Sequence, residues 1–208
     1  MVNKSTTVKE GLTVKQEQIV DAAIRRFTHF GIQKTNLSEI AVDLGISKPA
    51  LFYYYPDKDA LVAAVEERII GSYIHAVEQQ FTGNDTVETA LLKLIEVRME
   101  FFERYFMMSS HLERTDPALV GTRMAKVKQT LREREVELLV RLFERGMALG
   151  EVKPLDASKT ADLLLHTISA LAQHCVGDRS LPPDHATVKG IFQKQIEVLK
   201  LFYNGLKQ

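Results

Sequence analysis

Three consecutive tyrosines, Tyr53, Tyr54 and Tyr55, close a short segment that opens at Ser47. The segment has room for only a short helix. Ser47 is a good N-cap, and Pro56 pushes the residue before it out of the α region. A helix this short, with aromatic residues around its circumference, cannot bury all of them. Lys48, Pro49, Tyr53 and Tyr54 are its expected exposed residues; Ile46, Leu51, Phe52 and Tyr55 are its expected packed ones. A tyrosine hydroxyl can reach a phosphate oxygen while its ring packs on the sugar. A lysine can donate to guanine O6 and N7, or equally to a phosphate. The chemistry implied is binding to nucleic acid. The plainer alternative, a helical hairpin inside an ordinary bundle, leaves the tyrosine run unexplained.

Elements that would hold such a helix are legible on either side. A first helix is predicted over 14–30, with Ile19, Ala23, Phe27 and Phe30 on one face and Gly31 as its left-handed stop. A second, over 37–44, starts behind Asn36 with Glu39 three residues on, a capping box, and carries Leu37, Ile40, Ala41 and Leu44 on one face. Gly45 then permits a sharp turn. Helix, short helix, glycine turn and short helix have the size of a helix-turn-helix, whose second helix enters the major groove. Asp57 caps a long fourth helix running to about 80, and further helices are expected over 86–107, 122–148, 157–176 and 185–206. Pro117 and Gly121 suggest a loop or short helix between the fifth and the next. Residues 1–12, polar and without an apolar face, are expected to form a mobile arm. No strand pattern is present, so the fold class is all-α.

The chain has 208 residues, 45% of them hydrophobic, enough for a substantial core. Its formal net charge is zero, whereas a nucleic-acid binder is usually basic. Up to Lys58 there are eight basic and six acidic residues, a weak excess. Cys175 is the only cysteine, so neither an internal disulfide nor a cysteine-based zinc site is expected. His166 and His174 stand eight apart, wider than the i, i+4 spacing of helical metal pairs. No glycine-rich phosphate loop, nucleophile elbow or triad is visible, so neither enzymatic activity nor a cofactor is expected. No leader or membrane span is visible, which places the expected location in the cytoplasm.

Residues 91–108 carry a stripe of Leu91, Ile95, Met99, Phe102 and Phe106, with Leu94, Phe101 and Tyr105 on further faces. A helix apolar on several sides is surrounded by other helices. Residue type leaves open whether this is plain core or the wall of a cavity.

The segment from Thr35 to Leu61 closely resembles the signature of the tetracycline-repressor (TetR) family. The matching residues are Thr35, Ile40-Ala41, Gly45-Ile46-Ser47, Leu51 to Tyr55, Lys58 and Leu61. Phe52 stands where the family often has tyrosine, Tyr54 where histidine is common, and Pro56 where lysine is frequent. The resemblance implies an N-terminal three-helix DNA-binding domain over 1–57 and a helical bundle for ligand binding and dimerisation over 58–208. It implies that Thr35, Tyr53, Tyr54 and Lys58 hold phosphates of a double-stranded operator, and that Ser38, Ser47, Lys48 and Pro49 face base edges. It also implies an effector cavity, assigned to Phe102, Tyr105, Phe106, Met124 and His166, for a small, largely apolar molecule. A homodimer interface on the last two helices is assigned to Leu164, Ile168, Leu171, Cys175, Ile196, Leu199 and Phe202. The implied function is a repressor released from a palindromic operator by that effector.

Overall fold

The computed structural model describes the backbone at residues 4–81, 85–112, 117–175 and 184–208. Side chains are described at 14–81, 85–105, 129–172, 184 and 186–208. The described residues form eight helices and no strand: α1 (Lys4–Phe30), α2 (Leu37–Asp43), α3 (Lys48–Tyr54), α4 (Lys58–Gln80), α5 (Val87–Leu112), α6 (Pro117–Ala148), α7 (Ala157–Cys175) and α8 (His185–Leu206). They divide into two compact units, Met1–Ile70 with Met107–Glu113, and Gly71–Phe106 with Arg114–Gln208.

In the first unit, local chemistry sets each helix end. Gly31, at φ +81°, donates its amide to Phe27 O and ends α1. Asn36 and Glu39 form the capping box of α2. Gly45, at φ +61°, turns the chain so that Ile46 N reaches Ala41 O at 3.0 Å. Ser47 Oγ accepts from Ala50 N and starts α3, while Tyr55 leaves the helix in an extended conformation before Pro56. Asp57 Oδ1 accepts from Ala60 N at 2.7 Å and caps α4. Ile19, Ala23, Phe27, Ile40, Leu51, Leu61 and Val65 are all closed to solvent. By packing, the early part of α4 therefore belongs with α1 to α3, and the unit runs past the 57/58 chain position to Ile70.

Two expectations about the backbone are corrected. The segment expected to be a mobile arm is helical from Lys4 onwards. Once α1 is nucleated by its packed half, each further residue adds a hydrogen bond, and no proline interrupts it. The segment between Pro117 and Gly121, expected as a loop or a short helix of its own, is the first turn of α6. Proline is compatible with that position because the amide it lacks has no partner there.

In the second unit α5, α6, α7, α8 and the end of α4 enclose one core. It includes Leu91, Leu94, Ile95, Leu139, Phe143, Leu164, Leu165, Ile168, Phe192 and Leu199. Gly150, at φ +71°, closes α6. The following turn meets the chain end, where Lys153 N donates to Leu206 O at 2.8 Å.

At Gly146 this core leaves no room for a side chain. A methyl group there would lie 2.5 Å from Val87 Cγ2 and 3.2 Å from Val152 Cγ2. Alanine favours a helix interior over glycine by about 1 kcal/mol, but overpacking costs about 1–3 kcal/mol. Both valines are buried and pinned by their neighbours, so the clash dominates. Gly146→Ala should lower the urea midpoint, by about 1 kcal/mol of stability. A raised midpoint would show that α5 and α6 can part here.

Candidate nucleic-acid interface

α3 is about 10 Å long at ~1.5 Å per residue. Leu51 is its single fully buried side chain, and Phe52 is half-buried. The other side is open. Lys48 and Pro49 are exposed, and Tyr53 is 75% exposed. Tyr54 is half-buried, with its ring 5.3 Å from that of Tyr53 in an edge-to-face arrangement. Lys48 Nζ stands 5.6 Å from the centre of the Phe52 ring, so its stem is steadied while its charge stays in solvent. The residues expected outward on α3 thus share an accessible surface.

α2 braces this helix and is itself clamped to α1. Arg26 donates through Nε to Asp43 Oδ2 at 2.5 Å and through Nη2 to Asp43 Oδ1 at 2.9 Å. Its Nη1 reaches Glu39 Oε2 at 3.0 Å. The same Glu39 oxygen accepts from Asn36 N, so one arginine ties both ends of α2. The guanidinium hydrogen bond holds the Asp43 carboxyl below its usual pKa. On α4, Arg68 lies 3.6 Å from Glu17 and 3.4 Å from Asp21 of α1.

The remaining expected contact residues fall differently. Ser38 is half-buried and Ser47 exposed, its hydroxyl oxygen accepting from Ala50 N. Lys58 is half-buried with Nζ 3.5 Å from Gln33 O. Burial moves its pKa down, partly offset by Asp59 and Glu39. Thr35 is corrected. It is 2% exposed, and its hydroxyl donates to Gly31 O at 2.9 Å. Its side chain fixes the turn between α1 and α2 and presents nothing to a phosphate.

The residues expected around an effector scatter. Phe102 and Tyr105 are half-buried on α5, and Phe102 packs edge-on against Phe192 of α8, 5.8 Å between ring centres. The side chains of Phe106 and Met124 lie outside the described residues. His166 is corrected: its side chain is 64% exposed and meets Asp162 and Arg132 on the surface.

A polar group beside these rings escaped the sequence reading. Tyr73 Oη donates to Glu135 Oε1 at 2.5 Å, Arg98 Nη1 donates to the same oxygen at 2.5 Å, and Arg98 Nη2 reaches Ser169 Oγ at 3.3 Å. Four helices, α4 to α7, meet in this network. Burial pushes the Tyr73 hydroxyl pKa upward, so it remains a donor. Burial opposes the Arg98 charge, but Glu135 and Tyr73 outweigh it. The signal lay in α5, where Arg98 interrupts the apolar stripe between Ile95 and Phe102.

The expected dimer residues also need correction. Leu164, Ile168 and Leu199 are completely buried within the chain's own core. Leu171, Ile196 and Phe202 are half-buried, and the side chain of Cys175 lies outside the described residues. Among the described residues of α7 and α8, the large apolar side chains left open are Leu163, 57% exposed, and Leu201, 73% exposed.

Against this geometry stand the similarities to known proteins. The model of the bacterial regulatory proteins of the tetR family matches residues 19–65. That segment runs from Ile19 of α1 into α4 and takes in the whole helix-turn-helix. The chain is 25% identical over 166 residues to the HTH-type transcriptional regulator RutR of Escherichia coli, covering 78% of this chain and 74% of RutR. It shares its fold with a transcriptional regulator from Cytophaga hutchinsonii, at TM-score 0.84 and 24% identity over 93% of this chain and 99% of that one. It shares it also with SmeT, the repressor of the Stenotrophomonas maltophilia multidrug efflux pump SmeDEF, at TM-score 0.65 and 18% identity over 93% of this chain and 90% of SmeT. Among the described residues no helix is long and apolar enough to cross a membrane. With a braced helix-turn-helix spanning residues 19–65, the chain carries the DNA-binding segment of the tetR family of bacterial regulatory proteins and is a DNA-binding transcriptional regulator.

Proposed function

We propose that the protein is a homodimeric repressor in the cytoplasm that leaves a near-palindromic operator when a small, largely apolar effector binds its C-terminal bundle. The observation that carries the DNA half is α3, anchored by Leu51 and open at Lys48, Pro49 and Tyr53. Residues 1–57 carry the reading function, and 58–208 carry effector binding and dimerisation. SmeT, which shares the fold, is named as a repressor, and repression is the sense adopted here. In a two-fold dimer the paired α3 helices address half-sites about 34 Å apart, one turn of DNA. A gel shift with the DNA upstream of the gene tests the whole proposal.

The effector half rests on α5. Phe101, Phe102 and Tyr105 are half-buried rings beside the Arg98–Glu135–Tyr73 network. An apolar body fits against the rings. An effector that binds the DNA-free state better lowers operator affinity, and DNA weakens effector binding by the same factor. A coupling of about 1–3 kcal/mol shifts occupancy roughly 5- to 150-fold.

Three outcomes follow for DNA, dimer and effector. Lys58→Ala should weaken binding to all sequences alike and reduce the salt slope by about one. Lys48→Ala should instead relax preference at one operator position by roughly 1–3 kcal/mol, if its contact is to a base. An unchanged salt slope for Lys58→Ala removes that lysine from the phosphate contacts. Leu163→Glu with Leu201→Glu should shift the protein toward monomer in light scattering and weaken operator binding together. A monomer that still binds the operator tightly overturns the dimer. Phe102→Ala should change the effector response while effector-free DNA affinity stays near wild type. Equal loss of both would make Phe102 core structure.

A further inference from the structure

A cleft opens within the C-terminal unit, lined by none of the rings of α5. It has a volume of about 390 Å³ and is lined by Glu78, Phe81, Leu138, Arg141, Leu142 and Arg145. That size is within the range of small-molecule sites. The four α6 residues fall at i, i+3, i+4 and i+7, so one helical face lays leucines in the floor and arginines along the side. Leu138 and Leu142 are buried.

Two guanidinium groups share this lining with one carboxylate. Arg141 is exposed and has neither an ion pair nor a hydrogen bond among the described residues. Glu137, one turn before it, is taken by Arg134 at 3.0 Å. Arg145 donates through Nη2 to the Asp85 carbonyl, and its Nε is sealed from solvent without a partner. The Asp85 carboxylate is taken by Lys93 at 2.9 Å. Two like charges at i, i+4 on a helix repel each other. Glu78 is the one acidic residue among the described residues that line the cleft, and no ion pair joins it to either arginine. The cleft therefore pairs an apolar floor with guanidinium groups that still have donors to offer.

We propose that this cleft binds a small organic monoanion, a carboxylate with an apolar body, whose head is held by Arg141 beside Arg145 and whose body lies on Leu138, Leu142 and Phe81. A guanidinium presents paired N–H donors that match a carboxylate's two oxygens. Two arginines and one glutamate give the lining a net charge of +1, which matches a monoanion better than a dianion. The proposal does not depend on the identity of the effector bound near Phe102.

Decanoate, with decanol as its neutral counterpart, serves as the probe in isothermal titration calorimetry on the full chain. Decanoate should bind once per chain and decanol at least about tenfold more weakly. Arg141→Gln should weaken decanoate about tenfold and leave decanol unchanged. Arg141 is exposed and has no ion pair among the described residues, so the variant should keep its melting temperature, which checks the fold. Arg141→Lys should fall between, since it keeps the charge and loses the paired donors. Equal binding of decanoate and decanol, or undiminished decanoate binding by Arg141→Gln, overturns the proposal. So does an absence of decanoate binding at millimolar concentration.

Discussion

A helix of seven residues has no stability of its own. Its nucleation cost is spread over too few hydrogen bonds, and isolated helices need roughly twelve residues or more to persist in water. α3 must nevertheless keep one side bare for a ligand as large as DNA. Leu51 resolves this, because it is the one α3 side chain closed to solvent and it fixes the helix from beneath. Everything else in the first unit narrows the remaining freedom. Gly45 sets the entry angle, Ser47 holds the first turn, and Tyr55 with Pro56 ends the last. Arg26 fixes the brace on which Leu51 rests, since it grips Glu39 and Asp43 at opposite ends of α2.

This explains why the first unit was legible in the sequence. Its geometry is set by short-range devices, namely caps, glycines at positive φ and a proline, each acting within four residues of itself. Such devices can be read one at a time. The two backbone corrections arise where the sequence carries no such device. Residues 4–12 have neither an apolar face nor a breaker, and helix propagation from α1 decides them. Pro117 has two meanings, and only the path of α6 shows that it stands in a first turn.

The second unit was less legible for a different reason. Apolar periodicity reports that a side chain is covered without saying by what. Leu164, Ile168 and Leu199 have the same spacing whether they face a neighbouring helix of their own chain or of another, and packing assigns them to their own. Thr35 and His166 show the same limit for polar groups. The threonine hydroxyl is turned inward on Gly31, and the imidazole is turned outward on Asp162. Arg98 was the exception that carried a readable sign, a cation within an apolar stripe. A buried ion pair contributes little to stability compared with apolar packing of the same volume. Its presence among four helices fits a role in recognition or in coupling their positions.

Charge accounts for the last mismatch between composition and function. A chain of zero formal charge is a poor candidate for DNA binding if all its charges act at long range. In the first unit they do not. Glu39 and Asp43 share Arg26, and Glu17 and Asp21 share Arg68, so these four carboxylates are tied at short range and half of their charge is neutralised there. Screening over about 8–10 Å at physiological salt then removes most of what remains of their field. Lys48 has no such partner among the described residues and stands on the exposed side of α3. Lys48 therefore gives the exposed side of α3 an unpaired positive charge although the total is zero. An anionic polymer approaching within a screening length responds to that local charge, so affinity for DNA is set by where the unpaired cations stand and not by how many the chain contains.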